Sequence, residues 1–305
     1  MPKAYVFTRN GGPEVEGFAE LERPKPGPGE LLVAVRAAGV NPVDWKLRTG
    51  YTRPGSEPLP FPTVFGSEAA GTVVETGPGT EDFAPGDEVF GNPLTGGYAE
   101  YTLMPVAVTA HKPAALSFTD AAVLPVAAAT AYDGVRQLGL APGATLLITG
   151  AGGGVGSAAV QLARHAGLRV LGVAGEAKKD FVESLGAEHI PSGAGLADRV
   201  RAAAPEGVDA VFDLVGGDTL REAAGLAGPA ALISAGGKPL VTELGGEPVR
   251  RARTAAVLDE VARLAVEGIL RTHVTLTVPL DRAAEALRAV EDGHALGKTV
   301  IEVSA

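Results

Sequence analysis

Leu146-Leu147-Ile148-Thr149-Gly150-Ala151-Gly152-Gly153-Gly154-Val155-Gly156-Ser157-Ala158-Ala159-Val160 is the stretch that decides the fold. Leu146 to Thr149 read as a buried strand, and Ser157 to His165 read as a helix. Between them lies a turn made mostly of glycine. A strand, a glycine turn and a helix let the backbone approach a pyrophosphate closely. The first helical N–H groups and the helix dipole then attract its charge. The spacing is not the strict Gly-x-Gly-x-x-Gly, because Val155 stands where the third glycine would follow Gly150 and Gly152. Gly152-x-Gly154-x-Gly156 and Ala151-x-x-Gly154 supply the small residues instead. Gly150, Ala151, Gly152, Gly153, Gly154, Val155 and Gly156 are therefore candidate cofactor-binding residues.

The segments downstream repeat the alternation. Val170 to Ala174 is a strand and Lys178 to Leu185 a helix; Asp209 to Asp213 is a strand and Thr219 to Ala227 a helix; Ala231 to Ser234 is a strand. Apolar strands separated by helices predict a parallel sheet covered on both faces. In such sheets, ligands lie at the carboxyl ends of strands. That singles out Val215 and Gly216 after one strand, and Ser234 and Gly236 after the next.

Upstream the texture differs. Ala4–Thr8, Leu31–Arg36, Ala69–Glu75, Asp87–Phe90 and Tyr98–Leu103 are short extended runs punctuated by Gly and Pro turns. They predict a small β-barrel or barrel-like sheet. One helical turn interrupts it, with Asn41 at the N-cap, Pro42 at the first position and Asp44 at the third. Ser117 and Asp120 mark a second helix start, with Pro125 a kink or break in that helix. Thr254 to Val266 reads as an amphipathic helix; the tail adds a strand near Thr275, a helix from about Arg282 and a strand Thr299–Val303. The fold class is α/β: a Rossmann-type doubly wound parallel sheet plus a β-barrel domain. The expected division is residues 1–115, completed by 270–305, and residues 116–269.

Composition narrows the function. The chain has 305 residues, 46% hydrophobic and 20% charged, an ordinary balance for two globular domains. Its 26 Lys and Arg against 36 Asp and Glu give a net charge of −10, which disfavours nucleic acid as a partner. With no cysteine there is no disulfide, no thiolate metal site and no cysteine nucleophile. The histidines His111, His165, His189, His273 and His294 show no metal spacing, so no metal site is expected. Gln137 to Ala163 carries no charge, but Pro142 and its glycines argue against a membrane span. Met1-Pro2-Lys3-Ala4-Tyr5-Val6 lacks the apolar core of a secretion signal, so a cytoplasmic location is expected.

The second strand of a dinucleotide fold ends in Asp or Glu where the ligand is NAD. Here it ends in Ala174-Gly175, with Lys178 and Lys179 one turn later. Small residues leave room for a 2′-phosphate and the lysines attract it, which favours NADP(H). Glu176 argues the other way.

At this point the whole chain resembles the zinc-free quinone oxidoreductases, the zeta-crystallin branch of the medium-chain dehydrogenase/reductase superfamily. The likeness rests on Gly39-Val40-Asn41-Pro42-Val43-Asp44-Trp45-Lys46, Phe65-Gly66-Ser67-Glu68-Ala69-Ala70-Gly71, Gly86-Asp87-Glu88-Val89-Phe90, Thr130-Ala131-Tyr132, the glycine loop and Gly297-Lys298-Thr299-Val300. The resemblance implies a GroES-like catalytic domain made of both chain ends, a Rossmann domain between, NADPH in the cleft and a homodimer. Zinc alcohol dehydrogenases carry Gly-His-Glu where this chain has Gly66-Ser67-Glu68. Without zinc as a Lewis acid, the implied chemistry is hydride transfer from NADPH to a quinone or an α,β-unsaturated carbonyl.

The resemblance also suggests site residues. Asn41 falls beside the nicotinamide ribose, with Asp44 near it, although both are also explained as helix caps. Lys46 stands where many quinone reductases carry Tyr, and Asn-Pro-Val-Asp-Trp-Lys looks like the enone and alkenal reductases. A cleft lysine there would hold a substrate carbonyl and stabilise enolate charge; a solvated lysine is the plain alternative. Tyr51 lies near a pocket Tyr of relatives, one residue off. Thr130 resembles a nicotinamide-contacting Thr. Ser192 stands near where some relatives carry a Tyr to the 2′-phosphate, a contact the shorter Ser can lose, and Lys298 either approaches the cofactor from the tail or is an exposed lysine. Arg250, Arg251 and Arg253 read as a solvated loop, or as a face for an acidic thioester. The rival functions are a 2-enoyl-thioester reductase and an NADPH-binding sensor or structural protein with little turnover.

Overall fold

The computed structural model of the chain describes residues 1–52, 57, 59–228, 231–293 and 295–304. It divides into two compact units: residues 1–126, 253–266 and 274–305, and residues 127–252 and 267–273. Helix Ala255–Val266 thus falls with the chain ends rather than with the central segment.

The first unit opens with β1 (Lys3–Phe7), β2 (Glu16–Glu20), β3 (Glu30–Val40), α1 (Pro42–Arg48), β4 (Thr63–Val64) and β5 (Ala69–Thr76). It continues with β6 (Glu88–Gly91), β7 (Tyr101–Pro105), β8 (Thr109–His111) and α2 (Phe118–Ala121). The β-rich expectation is met, but β3 runs four residues past Arg36. Its far end stays paired because the small side chains of Ala37, Ala38 and Gly39 let β5 and the last strand of the chain approach on either side. Its core is aromatic: Tyr5, Phe7, Phe65 and Tyr98 are buried, with Phe7 and Phe65 ring centroids 4.8 Å apart.

The second unit begins with a π-helical turn, Leu124–Ala128, running across the unit boundary and into α3 (Ala129–Leu138). Pro125 lies in that turn, so the proline is absorbed by local widening rather than by a break. There follow β9 (Thr145–Thr149), α4 (Gly154–His165), β10 (Arg169–Ala174), α5 (Lys179–Ser184), β11 (Glu188–Pro191) and α6 (Leu196–Ala203). β12 (Ala210–Asp213), α7 (Gly217–Ala224), β13 (Leu232–Ser234), α8 (Lys238–Glu243) and β14 (Glu247–Pro248) complete it. Its sheet is parallel in the order β11-β10-β9-β12-β13-β14. The strand order reverses between β9 and β12, so the loops leaving these two strands diverge and open a crevice, the usual ligand position in such sheets. Helix α4 starts at Gly154, three residues earlier than its apolar periodicity suggests, because the glycines themselves take helical backbone.

The chain then returns to the first unit with α9 (Ala255–Val266), β15 (Val274–Pro279), α10 (Ala283–Glu291) and β16 (Lys298–Glu302). A seven-stranded sheet runs β15-β16-β3-β5-β6-β8, with β7 also on β3. β16 pairs antiparallel with β3, Thr299 opposite Val40. That register carries the tail of the chain to the start of α1. Arg48, 1% exposed, fixes the other end of α1 through Glu16 of β2 and, at 2.6 Å, Glu291 of α10.

Candidate active site

The glycine loop fits a dinucleotide pyrophosphate by the close approaches it makes. Gly150, directly after β9, has φ +70°, a region that favours glycine. A Cβ on Gly156 would lie 2.1 Å from the Gly150 carbonyl oxygen. Only glycine lets the first turn of α4 sit this tightly on the loop. Gly153 precedes the helix in extended backbone, and Ser157 N–H bonds back to its carbonyl at 2.8 Å. Ala151 N–H donates to Val173 of β10 at 3.0 Å, which ties the loop to the neighbouring strand.

Lys178 lies over this loop. A Cβ on Gly152 would meet the Lys178 Cδ at 2.6 Å, so the lysine stem covers Gly152. Burial pushes the Lys178 ammonium below the usual lysine range. Lys179 and Glu176 are exposed, as are Gly175 and Ser192. Of the two predicted lysines, the geometry therefore brings only Lys178 to the glycines.

The switch point is organised by Asp213, a residue that sequence reasoning does not single out. It is fully buried at the end of β12. Thr149 and Ser234 hydroxyls each donate to it at 2.6 Å, and Gly216 N–H does so at 3.0 Å. One carboxylate thus joins the ends of β9, β12 and β13. Its signal in the sequence is a carboxylate ending an otherwise apolar strand. The Ser234 hydroxyl also accepts from Gly237 N–H at 2.8 Å. Ser234 thereby faces inward as a support, where a cofactor contact was expected. Val215 is 52% exposed, and Gly236 packs against the Leu214–Val215 backbone.

Thr130 is buried on α3, its hydroxyl accepting from Arg251 at 2.5 Å. Of the two readings of Arg250, Arg251 and Arg253, the exposed Arg250 and Arg253 fit a solvated loop, and the shared face for an acidic thioester is corrected. Arg250 pairs with Glu247 at the surface, Arg251 turns inward to Asp133, and Arg253 is exposed with φ +48°. Each has a different environment, so they form no common anion face.

In the first unit, Asn41, Asp44, Glu68, Tyr98 and Lys298 form a buried polar cluster. Asp44 accepts the Asn41 backbone N–H at 2.9 Å, starting α1 as expected. The Asn41 side chain stands at the N-cap as expected and also takes remote partners. Its Nδ2 donates to Glu68 Oε1 at 2.8 Å and its Oδ1 accepts from Lys298 at 2.7 Å. Lys298, expected at the cofactor, has its ammonium buried among Val40, Asn41 and Glu68 instead. Asp44 Oδ2 also accepts the Tyr98 hydroxyl at 2.9 Å, while Oδ1 has no hydrogen-bond partner. Burial pushes the Asp44 carboxyl up to about 6. Lys46 is half-buried, its ammonium 5.6 Å above the Trp45 ring. Tyr51 is 40% exposed beyond α1, and its N–H donates to the Lys46 carbonyl.

Among the described residues no group of three His, Cys, Asp or Glu could hold a metal ion; His294 lies outside them. No helix of the described residues is long and apolar enough to cross a membrane.

A GroES-like β-domain and a glycine-loop parallel sheet are the two parts of the medium-chain dehydrogenase/reductase superfamily, and the chain belongs to it, among its quinone-oxidoreductase-like members. The family profile "Alcohol dehydrogenase GroES-like domain" matches residues 27–114, and "Zinc-binding dehydrogenase" matches residues 185–301. The chain is 33% identical to a chloroplastic quinone-oxidoreductase QR1 of Triphysaria versicolor, over 96% of this chain and 95% of that one. It is 36% identical to a 2-methylene-furan-3-one reductase of Solanum lycopersicum, over 61% of this chain and 50% of that one. A crystal structure of the Escherichia coli quinone oxidoreductase complexed with NADPH superposes with a TM-score of 0.88 at 26% identity, covering 98% and 99% of the two chains.

Proposed function

We propose that the protein is an NADPH-dependent, zinc-independent oxidoreductase that reduces quinones or α,β-unsaturated carbonyls. The observation that carries this reading is Lys178 lying across Gly152 of the glycine loop. A lysine there presents its charge beside the pyrophosphate cradle, where a 2′-phosphate needs a cation and a free ribose does not. Bound NADPH supplies the hydride. The helix α4 N–H groups hold the pyrophosphate, and Asp213 keeps the neighbouring loops in register. Lys46 holds the acceptor's carbonyl oxygen by hydrogen bond and charge, so negative charge developing there is stabilised. Reduction of an enone adds hydride at the β-carbon and a proton at the α-carbon. A quinone takes the hydride and a proton to become the hydroquinone.

The relatives named for quinones and for a methylene-furanone both support this acceptor class. A homodimer and a cytoplasmic location complete the reading. The test is oxidation of NADPH and of NADH, followed by absorbance, against a panel of quinones, alkenals and cyclic enones. Turnover with NADPH on either class supports the reading, and the preferred class names the acceptor. Binding of NADPH with no acceptor reduced would replace it with a cofactor-sensing role.

A further inference from the structure

One of the two matching family profiles carries zinc in its name, yet the donors in this chain's buried cluster do not suit that ion. The cluster centres on the Lys298 ammonium, which donates to Val40 O at 3.0 Å, Asn41 Oδ1 at 2.7 Å and Glu68 Oε1 at 2.9 Å. An ammonium has three protons, and three oxygens take them. Glu68 is fully buried, and its second oxygen accepts Val126 N–H at 2.7 Å. The surrounding oxygens are one carboxylate, one amide and one backbone carbonyl. Zinc sites are built from thiolate, imidazole and carboxylate ligands, commonly four in all and at shorter distances. Of these the cage supplies only one carboxylate, the amide and the peptide carbonyl not being usual zinc ligands. Ser67 offers only a hydroxyl, 3.4 Å from Asn41 Nδ2.

We propose that Lys298 is the built-in cation of this domain. Its ammonium neutralises Glu68 and orients the Asn41 amide, the two tasks a bound metal ion would perform in this cage, and its presence closes the cage to metals. The register of β16 on β3 delivers it there: Thr299 opposite Val40 places Lys298 beside Asn41. A slip of one residue would turn the lysine to the other face of the sheet. Removal of the ammonium leaves a buried carboxylate with oxygen donors around a hole of ammonium size. Such a hole selects small alkylammonium ions by charge, size and hydrogen-bond count.

The experiment has two arms. The purified wild-type protein is incubated with zinc, desalted and analysed for metal by atomic emission. The expected content is far below one ion per chain; one zinc per chain, removed by a chelator with loss of thermal stability, overturns the proposal. In the second arm the melting temperature of Lys298→Ala is measured with methylammonium and with tetramethylammonium at equal ionic strength. Methylammonium is expected to raise it by several degrees, tetramethylammonium to leave it unchanged, and the wild type to respond to neither. Equal responses to the two ions overturn the proposal. Should Lys298→Ala not fold, the double variant Lys298→Met with Glu68→Gln is compared with Lys298→Met alone. The double variant is expected to melt higher, since its cage holds no unpaired charge. A double variant no more stable than the single one overturns the proposal.

Discussion

Arg251 Nε lies 3.2 Å from Asp133 Oδ2, joining the segment after β14 to α3 across 118 residues of sequence. The same guanidinium donates to Thr130 Oγ1 at 2.5 Å, so it both neutralises Asp133 and sets the Thr130 rotamer. Asp133 keeps a second donor, Ala252 N–H at 3.0 Å. Arg251→Ala should therefore destabilise the protein by about 2 kcal/mol, less than for a carboxylate left wholly alone. Denaturant unfolding measures it. Arg251→Lys should recover little, because an ammonium cannot bridge both partners as the fork does. A loss near zero would mean that the pair is solvent-screened.

The position of Lys178 predicts cofactor choice. Lys178→Ala should weaken NADPH binding by about tenfold, a typical loss for a charged hydrogen bond, and leave NADH within about twofold. Fluorescence titration of both cofactors reads this directly. Burial holds the ammonium below the ordinary lysine range. Its charge is therefore lost at lower pH than that of a solvated lysine, and NADPH affinity should fall earlier on the alkaline side. Equal weakening of both cofactors would show that the lysine acts through the loop rather than on the phosphate.

Two glycines of the loop should differ in what a methyl group does. A Cβ at Gly156 meets backbone, the Gly150 oxygen at 2.1 Å and the Ala151 Cα at 2.7 Å, and neither can move without dismantling the loop. The three atoms nearest a Cβ at Gly152 all belong to the Lys178 side chain, the first of them Cδ at 2.6 Å. Gly156→Ala should abolish detectable NADPH binding, with an unfolding midpoint lowered by the equivalent of about 2–3 kcal/mol. Gly152→Ala should stay folded and lose NADPH preference, because the lysine stem must shift. Isothermal titration with the two cofactors separates the outcomes.

The parallel sheet was legible because most of its strands are continuous apolar runs with helices between, and β9, β10, β12 and β13 lie where those runs are. The buried clusters were not legible. Glu68 and Lys298 are 230 residues apart and meet only through the pairing of β16 with β3. Asp133 and Arg251 likewise depend on a long return. Local logic placed Asp44 at the start of α1 correctly, since a cap is a contact within four residues. It did not reach the other partners of the Asn41 side chain, Glu68 and Lys298, which are remote in sequence. Short elements were also missed: β11, α6 and α8 carry too few apolar residues at period to stand out from loop.

The buried carboxyl of Asp44 gives the last prediction. It is pushed up to about 6, first by burial, against the opposing hydrogen bonds of Asn41 and Tyr98. The folded protein therefore binds a proton more tightly here than the unfolded chain does. Between roughly pH 4 and pH 6 the native state holds that proton and the unfolded state does not, so stability from this group is greatest below the window and declines as pH rises through it. Above pH 6 the native carboxylate is charged and buried, with Oδ1 unpartnered. The cost is on the order of 2–3 kcal/mol. Asp44→Asn removes the titration, while its amide oxygen can still accept from Tyr98 and the Asn41 backbone. The unfolding free energy of wild type minus that of Asp44→Asn should slope downward from pH 4 to pH 6 and be flat above pH 7. Subtraction removes the carboxylates that are not coupled to Asp44. A difference that is flat throughout would mean that Asp44 stays charged across the range, its burial offset by the Asn41 N–H and the Tyr98 hydroxyl.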